Sequence, residues 1–146
     1  MRKNRKSLNQ RAGKPSRETK TTILMVDDAT YLLSTVRDEL EDMGYFVITA
    51  ASLKEGLVIA REYNFDLLIT DKNLGYNRGV VPLLDYMSEE KPFVPVLLFS
   101  GEDGKQARKE LYCHGFAEKA ACDEGRAHFH SEIRRLLDNP PYPTVQ

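Results

Sequence analysis

The sequence of 146 residues lacks any apolar run near the length of about 20 residues that a membrane-spanning helix needs. Its basic N-terminus also lacks the apolar core of an export signal. The two cysteines, Cys113 and Cys122, are spaced neither as metal ligands nor as a redox pair. We therefore expect a soluble protein of a reducing cytoplasm, with no membrane partner.

Apolar residues are also scarce in the first 20 positions, which contain one leucine and no aromatic residue. Such a segment cannot bury enough apolar area to offset the entropy of ordering, so we predict a disordered arm at residues 1–20. Residues 1–22 hold eight Lys or Arg and one Glu, a net charge of +7, and the rest of the chain carries −8. Two interpretations stay open: a solvated leader that rests on the acidic body, or a segment that binds nucleic acid or another polyanion.

From residue 21 onward, short apolar runs alternate with stretches of helical periodicity. The pattern predicts strands at 21–26, 45–50, 65–70, 94–100 and 116–119, and helices at 29–43, from 52, from 80, at 105–112 and at 123–138. Five strands alternating with five helices imply a doubly wound α/β domain with a five-stranded parallel sheet. We assign this domain to residues 21–138 and a Pro-rich C-terminal tail to residues 139–146.

Acidic residues stand where two of these strands end. The first apolar run stops at Asp27 and Asp28, and the run at 65–70 stops at Asp71. In open parallel sheets, ligands bind outside the carboxyl ends of the strands. Three carboxylates at one edge would repel one another unless a cation held them, and an oxygen-only cluster suits Mg²⁺. The sequence therefore predicts a magnesium site.

Each residue at this edge has a role that its chemistry permits. Asp28 and Asp71 can bind Mg²⁺ directly, the Asn73 backbone carbonyl can be a third ligand, and Asp27 can reach the ion through water. Asp71 can then attack an incoming phosphoryl group in line and become an aspartyl phosphate.

Two later strands add groups that can hold the remaining phosphoryl oxygens. Ser100 ends the fourth strand with a hydroxyl, and Lys119 ends the fifth with an ammonium group. The strand ends therefore bring together a nucleophile, a metal site and two groups that can sense phosphate.

This constellation resembles the receiver domain of bacterial two-component response regulators, over about residues 21–138. The residues that match the family pattern in order are Asp27, Asp28, Asp71, Gly79, Ser100 and Lys119. The resemblance implies a flavodoxin-like receiver architecture and phosphoryl transfer to Asp71 from a sensor histidine kinase or a histidine phosphotransfer protein. It also implies a phosphorylation-controlled surface, made by the fourth helix, fifth strand and fifth helix, that binds a downstream protein.

The resemblance assigns roles to three further residues. Phe116 stands where the family often has an aromatic ring that swings inward after phosphorylation, although it can equally be an ordinary core residue. Asn73 and Glu102 lie two residues beyond the phosphoacceptor and the hydroxyl, where side chains tune attack of water on the acyl phosphate. They predict a short-lived phosphoryl state, unless Glu102 is merely a solvated loop acid.

The chain departs from the family pattern at Gly75 and Ala120, where proline is usual, and in a shortened segment between Ser100 and Lys119. We expect a stand-alone receiver, which is a binding module rather than an enzyme with a separate substrate. One alternative is a degenerate receiver that docks partners without phosphorylation. Another is an Asp-nucleophile phosphatase, although Asn73 replaces the second acid that such enzymes use.

Overall fold

A computed structural model of the chain describes residues 20–75, 79–101, 105–119 and 123–142. Ten elements alternate along these residues: β1 (Thr22–Val26), α1 (Thr30–Asp42), β2 (Phe46–Ala50), α2 (Leu53–Glu62), β3 (Leu67–Thr70), α3 (Val81–Glu90), β4 (Val96–Ser100), α4 (Lys105–Glu110), β5 (Gly115–Glu118) and α5 (Asp123–Asp138). The arm predicted at residues 1–20, apart from Lys20, and the residues Glu102, Ala120 and Cys122 lie outside the described part.

The five strands form one parallel sheet in the order β2-β1-β3-β4-β5. The register pairs Val26 with Thr70 across β1 and β3, and Ser100 with Glu118 across β4 and β5. Because parallel strands run in the same direction, all five carboxyl ends lie at one edge. The predicted doubly wound α/β fold is confirmed.

Helices cover both faces of the sheet, and each face has its own apolar core. One core joins the sheet to α1 and α5 through Leu33, Val36, Leu40, Phe129, Ile133 and Leu136. The other joins the sheet to α2, α3 and α4 through Ala60, Leu83, Leu84, Met87, Ala107 and Leu111. The central strand β3 is buried on both faces, which explains its uninterrupted apolar run.

Local sequence explains how the first two helices begin and end. The glycine after α1, Gly44, has φ of 101°, a left-handed conformation that residues with a Cβ rarely adopt. Ser52 caps α2 by accepting a hydrogen bond from the Glu55 backbone N–H at 3.1 Å, and Glu55 accepts one from Ala51 N–H. Both features match the predicted helix boundaries.

Several boundaries in the second half of the chain differ from the prediction: β4 begins at Val96 rather than Val94, and β5 begins at Gly115 rather than Phe116. Helix α4 ends at Glu110 rather than Tyr112, and β5 ends at Glu118, so Lys119 follows the strand instead of ending it. The chain leaves α4 early because His114 N–H must donate to Val96 O, at 2.8 Å, to start the pairing of β5 with β4. Within the described residues, no helix is both long enough and apolar enough to cross a membrane.

Candidate functional site

The acid pair lies in the β1–α1 turn, with its two members in different environments. Asp27 is 1% exposed, whereas Asp28 is exposed. The Ala29 backbone N–H donates to Asp27 Oδ1 at 2.9 Å, which fixes the turn that starts α1. Burial raises the pKa of Asp27, and the Asp71 charge adds to this effect, while Lys119 and the Ala29 N–H only partly offset it.

Asp71 follows β3 directly and lies beside the acid pair. Its backbone N–H donates to Val26 O at 3.1 Å, so the end of β3 is hydrogen-bonded to the end of β1. The Asn73 backbone N–H donates to Asp71 Oδ1 at 3.2 Å, and Lys119 Nζ donates to Asp71 Oδ2 at 3.0 Å. Both oxygens of this carboxylate are thus oriented by the protein.

Lys119 connects the two strand ends. Its Nζ lies 2.7 Å from Asp27 Oδ2 as well as 3.0 Å from Asp71 Oδ2, with its side chain 20% exposed. The Lys119 backbone N–H also donates to Ser100 O at 2.8 Å. Burial alone would lower the pKa of Lys119, but its contacts with Asp27 and Asp71 outweigh burial and raise that pKa.

The three carboxylates have the geometry of a cation site. One oxygen from each of Asp27, Asp28 and Asp71 lies within 4.8 Å of the other two, the one such group found among the described residues. Asp27 Oδ2 is buried and receives no well-aligned hydrogen bond there, although the Lys119 ammonium is close enough for an ion pair. A small, hard cation that prefers oxygen ligands fits this donor set, which carries three acids and one lysine.

The other predicted site residues of the described part lie in the loop after β3 or on β4 and β5. Asn73 is half-buried and bonded through its backbone to Asp71, and Ser100 is the buried last residue of β4. Phe116 is partly buried and packs against the core formed with α2, α3 and α4. Gly75, where the family usually has proline, has φ of 90°, so the β3–α3 loop makes a left-handed turn there. Glu102 falls outside the described residues.

One site residue was not identified from the sequence. Thr70 is completely buried, and its hydroxyl donates to the Asp71 backbone O at 3.0 Å. The available signal was a polar residue at the end of the apolar run LLIT. A hydroxyl at this position helps to fix the backbone of the residue that follows it.

Comparison with known proteins places the chain among signalling domains. The family model of the response regulator receiver domain matches residues 23–119. The alginate biosynthesis transcriptional regulatory protein AlgB of Pseudomonas syringae pv. tomato is 36% identical over 101 residues, which are 69% of this chain and 22% of AlgB. The chain thus spans about a fifth of the length of this relative.

Solved structures show the same fold. The chemotaxis response regulator CheY4 of Vibrio cholerae is 29% identical, with a TM-score of 0.66 over 79% of this chain and 99% of CheY4. The response regulator TrrA of Thermotoga maritima, solved in complex with Mg²⁺ and BeF, is 21% identical with a TM-score of 0.69 over 80% of this chain and 98% of TrrA. This second likeness concerns the fold alone.

Proposed function

Since this chain belongs to the response regulator receiver domain family, we propose that it is a phosphoacceptor module of a two-component phosphorelay, with Asp71 as the residue that is phosphorylated. Receiver domains bind Mg²⁺ at an acidic pocket and interact with histidine kinases and downstream effectors. The observation that carries the proposal is the Lys119 ammonium between Asp27 and Asp71, beside a third carboxylate.

The proposed reaction transfers a phosphoryl group from a phosphohistidine. An Asp71 oxygen attacks phosphorus, the P–N bond breaks, and its electron pair returns to the imidazole nitrogen of the donor. The Asn73 N–H and the Lys119 ammonium orient the two Asp71 oxygens before the attack. The donor is a sensor histidine kinase or a histidine phosphotransfer protein.

Asp28, Asp71 and the Asn73 backbone carbonyl would hold Mg²⁺, with Asp27 reaching it through water. The ion supplies positive charge against the phosphoryl oxygens. Support comes from the close carboxylate oxygens of Asp27, Asp28 and Asp71. The same fold accommodates Mg²⁺ in TrrA.

The phosphoryl group would be registered by Lys119 and by the Ser100 hydroxyl. Lys119 N–H donates to Ser100 O, so the two residues form one unit at the ends of β4 and β5. Movement of this unit changes the space open to Phe116, three residues before Lys119, and with it the surface of α4, β5 and α5. A downstream protein would bind that surface.

The discriminating experiment measures the intact mass of the chain after incubation with Mg²⁺ and acetyl phosphate. We expect the mass of one phosphoryl group to be added to the wild type and not to Asp71→Asn. Asp66→Asn is the matched control, because it makes the same change at the other end of β3, where Asp66 Oδ2 accepts from Thr22 N–H. No mass gain in the wild type, together with no release of inorganic phosphate above that of Asp71→Asn, would instead support docking without phosphorylation.

The lifetime of the product separates the module from a phosphatase. Asn73 and Glu102 lead us to propose a short-lived acyl phosphate, and release of inorganic phosphate after loading measures its lifetime. A half-life of many hours would contradict the proposal. Multiple turnovers of a phosphate ester, by contrast, would favour the phosphatase alternative.

A further inference from the structure

His114 lies in the turn between α4 and β5, and its side chain extends the pairing of β5 with β4. The Val96 backbone N–H donates to His114 Nδ1 at 2.9 Å, while the His114 backbone N–H donates to Val96 O at 2.8 Å. The first residue of β4 is thus bonded to both the backbone and the ring of one histidine.

This geometry fixes the protonation state of the ring. A backbone N–H can only donate, so His114 Nδ1 must present a lone pair, and the imidazole must be neutral with its proton on Nε2. A protonated ring carries hydrogen on both nitrogens. Protonation therefore removes the acceptor of the Val96 N–H and places two donors against each other.

Side chains of α5 and of the α4–β5 turn lie around His114. Arg135 on α5 donates to His114 O at 3.1 Å, and the Tyr112 ring meets the imidazole edge to face at 5.0 Å. Glu132 pairs with Arg135 at 2.8 Å, and Arg108 on α4 contributes a further positive charge near Glu132. Burial, and then the charge of Arg135, lower the pKa of His114.

The ion pair of α5 lies directly over the first residue of β5. A Cβ on Gly115 would be 2.8 Å from Glu132 Oε1 and 3.1 Å from an Arg135 nitrogen. The start of β5 therefore has no room to shift toward α5 unless this pair moves. His114 is thus hydrogen-bonded to both neighbours of the turn, to β4 through Val96 and to α5 through Arg135.

We propose that His114 is a proton-operated latch, which ties the α4–β5 turn to β4 while the ring is neutral and releases the turn when the ring is protonated. Its lowered pKa means that the unfolded chain binds the proton more readily. The latch therefore contributes fully above the ordinary histidine pKa of about 6.5 and is lost as the pH falls through the lower pKa of His114 in the folded chain. Because Phe116 follows two residues later, the surface of α4, β5 and α5 would respond to acid independently of Asp71.

The test is an NMR titration of the full, unphosphorylated chain between about pH 4.5 and about pH 8.5, a range of about two units on either side of 6.5. We expect the His114 ring to titrate below about 6.5, and the Val96 amide shift to follow the same midpoint. Corrected for intrinsic rates, hydrogen exchange at the Val96 amide should rise about tenfold in acid, as expected when a buried donor loses its acceptor. The proposal would be overturned if the chemical shift of the Val96 amide did not change with the midpoint of the His114 ring titration.

Two variants complete the experiment. His114→Asn retains an acceptor near the Nδ1 position but cannot titrate, so the pH dependence at Val96 should disappear. His128→Asn is the control, because His128 contacts the Phe116 carbonyl on the same strand and should leave the Val96 titration unchanged. If Val96 in His114→Asn titrates as in the wild type, the latch does not exist. The wild-type titration decides the question by itself if His114→Asn does not fold.

Discussion

In two clusters of charged side chains in this domain, the pKa of a carboxyl group shifts in opposite directions. At the sheet edge, oxygens of Asp27, Asp28 and Asp71 lie close together, Lys119 pairs with Asp27 and Asp71, and the pKa of Asp27 is raised, mainly by burial. Between α1 and α5, Glu39 contacts both Arg126 and His130, and these contacts outweigh burial and lower the pKa of Glu39.

The difference lies in the exposure and in the contacts. Asp27 is 1% exposed and its pKa stays raised despite its ion pair with Lys119, whereas the Glu39 side chain is 24% exposed and is contacted by Arg126 and His130. The contacts of Glu39 join α1 to α5. The close carboxylates of the sheet edge are where our proposal places a divalent ion and then a phosphoryl group.

The largest expected effect comes from adding Mg²⁺, whose positive charge would offset the three carboxylates at the sheet edge. At about 100 times its dissociation constant, Mg²⁺ should stabilise the wild type by about 2.7 kcal/mol, because only the folded chain assembles the site. Asp28→Asn should lose most of this gain at the same concentration. Urea unfolding with Mg²⁺ or EDTA measures it, with the exposed Asp42→Asn as control. Equal stabilisation of all three proteins would mean that the ion binds elsewhere.

Removing the Lys119 ammonium should take away the positive charge that pairs with Asp27 and Asp71. Lys119→Met leaves Asp27 buried without its ion-pair partner, so we expect a loss of about 2 kcal/mol at neutral pH without Mg²⁺. The loss should shrink in acid as Asp27 takes up a proton. Urea unfolding across pH is the measurement, and Lys109→Met, at an exposed position of α4, is the control. A loss that persists unchanged in acid would point to packing rather than charge.

Removing the charge of the buried Asp27 should stabilise the fold, which is the opposite of the effect expected for Lys119→Met. A raised pKa means that charged Asp27 destabilises the fold, increasingly as the pH rises through its folded pKa. Asp27→Asn should therefore be slightly more stable than the wild type at pH 7 in the absence of Mg²⁺, because the substitution removes a buried charge. The same variant should bind Mg²⁺ more weakly. Unfolding curves and Mg²⁺ titrations test both parts, and a less stable variant would refute the first.

The smallest expected effect comes from the cluster of Glu39, Arg126 and His130 between α1 and α5. Glu39 has a lowered pKa, so its contribution is present above the ordinary glutamate value of 4.5 and is lost as the pH falls through its folded pKa. Because the pair is partly exposed, Glu39→Gln should cost only about 0.5 kcal/mol at pH 7. The difference from wild type in urea unfolding should shrink as the pH falls below 4.5 and through the folded pKa of Glu39, with the exposed Glu41→Gln as control. A cost that is independent of pH would exclude the charge as its cause.

Much of this domain is readable from local pattern. Helix α5 has the predicted bounds Asp123–Asp138, because Phe129, Ile133 and Leu136 recur with helical spacing. The strand ends at Val26, Thr70 and Ser100 were also predicted, because each apolar run stops at a polar residue. The end of α4 was not, because it depends on the backbone bond from His114 N–H to Val96 O, between residues far apart in the chain.

The sequence by itself determined the order of the strands along the chain and the residues that follow them. The signals for both are local, because apolar periodicity and the polar residues or glycines that end an element act over a few residues. Only the tertiary structure decided that Lys119 reaches Asp27 and Asp71 together, that the pKa of Asp27 rises while that of Glu39 falls, and that His114 accepts from Val96. Each of these depends on distance and burial between residues far apart in the chain, and neither quantity is encoded in a local pattern.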